Sequence, residues 1–107
     1  MIVSRKTFEH NETPSVTHRF DAGAAWENLA LEAFRRELVA HGMEGFDYER
    51  ARKELNIPDK YDVLAMVAIG KRGKTEDLPE QIQEREFPSD RKPLNEIVME
   101  GTFDQKS

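Results

Sequence analysis

Residues 61–70, Y-D-V-L-A-M-V-A-I-G, constrain the fold more than any other stretch. Alternation sets Val63, Ala65, Val67 and Ile69 on one side of an extended strand, and Leu64, Met66 and Ala68 on the other. Both sides are apolar, so the strand is expected at the centre of a sheet and covered on both faces. A central strand needs neighbours. The sequence offers Ile2-Val3 and a late segment, residues 94–100. Ile2-Val3 runs at once into Ser4-Arg5-Lys6, so it reads as the end of a buried strand with almost no beginning. Strands usually hold about five or six residues.

Residues 20–48 supply the main helix. Asp21 is placed to cap it, its carboxylate accepting a free N–H of the first turn. Ala22, Ala25, Leu29 and Ala33 then share one face, and Trp26, Ala30, Phe34 and Leu38 form an adjacent row at steps of four. This wide apolar stripe marks a buried helix, and its alanines allow another helix to come close. Trp26 and Phe34 belong to a core or an interface. Glu32 and Arg36 pair one turn apart on the wet side. The helix is expected over residues 22–41, with Gly42 as its left-handed stop and His41-Gly42-Met43-Glu44-Gly45 as a loop. Asp47 caps a second, shorter helix with Tyr48, Ala51 and Leu55 inward. Asn56 suits a left-handed end, and Pro58 bars continuation.

The remaining segments are polar. Residues 8–20 have no period and read as a loop. Its His10 and His18, with Asp21, match no standard metal spacing and are expected in solvent. Residues 71–90 form a charged connection broken by Gly73, with a short helical turn expected from Leu78-Pro79. Residues 94–100 follow as an extended arm or edge strand.

At 107 residues the chain is one domain, and 35% charged against 37% hydrophobic residues is polar for a self-sufficient one. The net charge of −5 disfavours nucleic acid, which needs a concentrated positive surface. The six Lys/Arg of residues 71–92 are cancelled by six Asp/Glu. The absence of cysteine excludes disulfides and thiolate chemistry. No apolar run is long enough for a membrane span, and a cytoplasmic location is the default. Neither a nucleophile elbow nor a phosphate-binding glycine loop is present, and Ser4, Ser15, Ser89 and Ser107 lack a partner signature.

Four segments in order carry a resemblance. They are D-A-G-A-A-W-E-N-L-A-L-E-A from Asp21, A-H-G-M-E-G-F-D from Ala40, A-I-G-K from Ala68, and F-P-S-D-R-K-P-L-N-E-I-V from Phe87. Together they resemble the C-terminal half of the nitroreductase family, FMN-dependent oxidoreductases that use NAD(P)H. The resemblance implies an α+β fold and a homodimer with FMN at the interface, where the long helix lies. It sets Met43-Glu44-Gly45 against the flavin ring, with backbone N–H groups near N5 and O4. It matches Arg91 to a basic residue that binds the FMN phosphate, a role that suits a guanidinium. Ser89 stands where members often carry a second basic residue, Arg72 where proline is common, and Glu37 where many have glycine.

The family's Arg/Ser-rich N-terminal half is missing from this sequence. The chain is therefore expected to be a partial nitroreductase-like domain over residues 1–107. Residues 1–20 form a strand end and loop, 21–70 helix-loop-helix-strand, and 71–107 a connection and arm. It would supply half of an FMN site, completed by another copy, a full-length relative or a complementing chain. NAD(P)H and a nitro compound, quinone or similar acceptor would be the substrates. The alternative is a non-catalytic dimerisation or interaction fragment, or a remnant, that binds no flavin.

Overall fold

The structure, a computed structural model, describes residues 1–103. It divides into a unit spanning Met1–Arg72 and a second unit that begins at Gly73, within the charged connection. The first unit runs β1 (Ile2–Arg5), α1 (His18–Arg35), β2 (Val39–Met43), α2 (Tyr48–Glu54) and β3 (Tyr61–Gly70). Its sheet is antiparallel in the order β1-β3-β2, so β3 is central, as its two apolar faces require.

One neighbour of β3 is the expected one, and the other is not. Ile2-Val3 does form a strand. The second partner is β2, with Val39 opposite Gly70 and Met43 opposite Met66. Sequence periodicity assigned these residues to the end of the helix and its loop. The late segment is instead a helical turn, α4 (Leu94–Ile97), with Val98 extended behind it.

The helix stops early because of Glu37. This residue takes φ +59°. The Leu38 N–H reaches back to the Ala33 carbonyl, and the Glu37 N–H to the Phe34 carbonyl, both at 2.9 Å. These bonds close a left-handed helix end that satisfies the last carbonyls. Glu37, rather than Gly42, is thus the left-handed stop. The glycine that the family resemblance places at this position avoids a strain of about 1–2 kcal/mol there. The second helix ends in the same way, as expected, with Asn56 at φ +52° and the Ile57 N–H bonded to the Arg52 carbonyl. Its Asp47 cap also forms, the carboxylate accepting from the Arg50 N–H at 2.9 Å.

At its other end α1 begins before Asp21, which lies inside the first turn. A carboxylate there still favours the helix by facing the positive end of its dipole. The extra residues are held from the sheet. The Ser4 hydroxyl lies 2.8 Å from His18 Nδ1, and Arg19 donates from Nε and Nη2 to Asp62 Oδ2 at 3.1 and 2.7 Å. Asp62 reaches the helix side through a bulge. Ile2 pairs with Ala65 but Val3 with Val63, so β3 carries one extra residue. An extra residue breaks the alternation and turns the strand. Strict alternation would have put Asp62 on the side away from Ala65 and Val67. The expected shared face of Val63, Ala65, Val67 and Ile69 therefore breaks at the bulge.

Along its length α1 lies against β1 and β2. Ala33, 4% exposed, is the best-covered apolar side chain among the described residues. The Trp26 ring rests on Gly42, whose absent Cβ would sit 3.2 Å from Trp26 Cζ2. The expected row from Trp26 splits, because Phe34 is 82% exposed. With Phe20 (77%) and Leu31 (58%) it forms a second apolar stripe on the side of α1 away from the sheet. The Glu32–Arg36 pair forms at 2.7 Å, joined by Arg35. No residue of β3 is buried, so the expected cover of both its faces is incomplete among the described residues.

The second unit holds a 3-10 turn at Thr75–Asp77, then α3 (Glu80–Gln83) directly after Pro79, as expected, and then α4. Gln83 Nε2 donates to the Leu78 carbonyl at 2.7 Å and closes the first turn of α3. Phe87, Leu94 and Phe103 are exposed.

Candidate functional site

Met43, Glu44 and Gly45 follow one another where the chain leaves the sheet. Met43 is half-buried as the last residue of β2, and Glu44 and Gly45 are exposed beyond the ladder. The Phe46 N–H turns back to the Glu44 carbonyl at 2.9 Å. Phe46 then stacks on Tyr48, with centroids 4.1 Å apart, and the Tyr48 hydroxyl meets the Leu64 carbonyl at 3.5 Å. Together with the Asp47 cap, these contacts fix the downstream end of a short exposed edge. The ladder fixes the upstream end. Gly45 does not have a positive φ, and a Cβ added there would meet open space. Among the described residues its N–H donates to no backbone carbonyl.

Ser89 and Arg91 form the other candidate group, in the second unit. Arg91 Nη1 donates to Ser89 Oγ at 2.8 Å and lies 3.4 Å from the Ser89 carbonyl. The two are thus brought together, on an exposed loop. The groups of residues 43–45 and 89–91 belong to different units.

One polar cluster escaped the sequence reading. His18, expected in solvent, is the first residue of α1, its side chain 15% exposed. Ser4, which lacked a sequence signature, is its partner at 2.8 Å. His18 Nε2 lies 3.9 Å from Asp62 Oδ2. The set superficially resembles a serine–histidine–aspartate array. However, Ser4 is only 9% exposed, and Asp62 is held by Arg19. The hydrogen bond from Arg19 holds the Asp62 carboxyl below its ordinary value, against the opposing effect of burial, with help from the charges of Arg19, Lys6 and His18. The cluster ties the helix to the sheet. Its members are 14 and 44 residues apart in sequence, so no local motif announces it. Among the described residues, no three His, Asp or Glu side chains are grouped as metal ligands would be. No helix among them is long and apolar enough to cross a membrane.

Residues 1–71 match the nitroreductase family, and the chain belongs to that family. A solved oxidoreductase containing FMN is 44% identical to it, with a TM-score of 0.89 over 97% of this chain and 54% of its own. A nitroreductase family protein from Clostridium difficile 630 is 21% identical and shares the fold, with a TM-score of 0.64 over 94% of this chain and 57% of its own. An uncharacterized 15.4 kDa protein of Mycolicibacterium smegmatis is 40% identical over 78% of this chain and 56% of its own. The putative NAD(P)H nitroreductase MhqN of Bacillus subtilis (strain 168) is 29% identical over 91% of this chain and 50% of its own. The chain therefore spans about half the length of the relatives it matches, with an α+β architecture like that of the solved FMN-containing oxidoreductase.

Proposed function

We propose that this chain forms one wall of an FMN site in an NAD(P)H-dependent oxidoreductase of nitroreductase type, completed by the part of the family fold that it does not span. The observation that carries the proposal is its 44% identity, over 97% of its length, to an oxidoreductase containing FMN. The residues fit the group. Among the described residues Gly45 presents an N–H without a backbone acceptor, and a Cβ added there would meet open space. A donor of this kind near a flavin nitrogen tunes its electronics. Arg91 and Ser89 set a guanidinium beside a hydroxyl, a donor pair suited to a phosphate. When bound, FMN supplies the redox chemistry, taking hydride from NAD(P)H and passing electrons to a nitro compound, quinone or similar acceptor. The chain's own residues bind and orient, and none is assigned as acid or base.

The incomplete cover of β3 supports the need for further residues of the family fold. Two-faced apolar strands are ordinarily covered on both sides. Co-expression with the part of the 44%-identical relative that this chain does not cover is expected to yield a yellow complex that oxidises NAD(P)H. In that complex Arg91→Ala weakens FMN retention, and Arg91→Lys weakens it less. Equal retention by all three removes the phosphate role.

A second reading, a dimerisation module without flavin, is favoured by the outer stripe of α1, where Phe20, Leu31 and Phe34 are exposed. Sedimentation of a stable dimer that stays colourless with the complement present would select it. A yellow complex would reject it.

A further inference from the structure

We propose that Trp26, seated on the bare backbone of Gly42, is the positioning residue for the edge Met43-Glu44-Gly45; this rests on the flavin-facing reading of that edge. Gly42 is mid-ladder, opposite Val67, and its φ is not positive, so the backbone does not require glycine. The ring requires it. An added Cβ would lie 3.2 Å from Trp26 Cζ2, 3.6 Å from Cε2 and 3.9 Å from Cη2. At the other five glycines an added Cβ meets nothing within 4 Å. A glycine inside a strand often marks close approach by another group, and here that group is a side chain of the neighbouring helix.

The ring is itself held in place. Its helix is tied to the sheet at the N-terminal end by Ser4–His18 and Arg19–Asp62, and it enters β2 through the closed turn at Glu37. One ladder pair, Met43 with Met66, separates the contact from Glu44. The downstream end of the edge is fixed separately by Phe46, Asp47 and Tyr48. The height of the edge is therefore set upstream by where the indole stops the strand. A methyl group at residue 42 must move the ring or the strand by a few tenths of an ångström, comparable with the roughly 0.5 Å tolerance of a preorganised site. Trp26 acts through Gly42 and is not itself a flavin ligand.

The test uses the full chain with its complement, in four forms: wild type, Gly42→Ala, Trp26→Phe and the double variant. Two readouts are taken, FMN affinity and amide hydrogen exchange. Gly42→Ala is expected to weaken FMN by about tenfold, and by clearly less in the Trp26→Phe background, because contacting residues couple. Exchange is expected to rise in the β2–β3 ladder beside the edge while the β1–β3 ladder keeps its protection. Unchanged FMN affinity in Gly42→Ala, or an equal loss in both backgrounds, overturns the proposal. If the wild type takes up no FMN, the functional reading fails, and exchange alone then decides the positioning. A rise confined to the β2–β3 ladder upholds it; a uniform rise, or none, overturns it.

Discussion

Glu37 and Asn56 occupy equivalent left-handed positions, at φ +59° and +52°. Only the second is evident from sequence, because asparagine tolerates this conformation and glutamate does not advertise it. Reading past Glu37 carried the helix into what is β2. Glu37→Gly is therefore expected to stabilise the fold by about 1 kcal/mol, seen as a higher urea midpoint at unchanged slope. A lower midpoint would mean that the carboxylate has a compensating role. Asp62 sets a pH dependence. Its carboxyl, held down chiefly by Arg19, stabilises the folded chain at pH values above the ordinary 3.8. That contribution is lost as pH falls through the depressed folded value. Asp62→Asn should lower stability at neutral pH and flatten the loss below about pH 4, measured by denaturation at several pH values. An unchanged profile would remove Asp62 as a source of acid sensitivity.

Among the elements, the central strand and the second helix were legible, for different reasons. The unbroken apolar run from Val63 to Ile69 identifies β3. The helix α2 is identified by its ends, Asp47 and Asn56-Ile57-Pro58. Asp47→Ala should cost about 1 kcal/mol through loss of the cap. It should also speed amide exchange in residues 48–54, and equal exchange in the two proteins would deny the cap any weight. In contrast, β2 was hidden. Its five residues, V-A-H-G-M, are too short to establish a period and continue an apolar row from the helix. The signal that was present lay elsewhere, in a central strand with too few partners. The β-bulge is likewise invisible locally, since it exists only in the pairing of Val3 with Val63. The sequence reads as a loop from His41 to Gly45, whereas His41, Gly42 and Met43 belong to the strand. This gives the edge its rigid upstream anchor.

For the whole molecule, family membership was legible from four short segments in order, although none of them is specific alone. The chemistry was not legible from the residues themselves, because under the proposed reading it resides in the cofactor and the chain contributes position and polarity. Ser89 and Arg91 meet as a pair, but the phosphate role proposed for them rests on kinship and chemistry rather than on spacing. The chain spans half the length of its relatives, and β3 lacks full cover among the described residues. Both facts are consistent with the proposal that flavin binding needs residues of the family fold beyond those of this chain. The most direct measurement is flavin absorbance after FMN is added to the purified full chain and the excess removed. Parallel samples contain the chain alone and the chain with the complementary part of the 44%-identical relative. The expected result is a colourless chain alone and a yellow complex that oxidises NAD(P)H. A yellow, NAD(P)H-oxidising chain on its own, or a colourless mixture, would contradict the account.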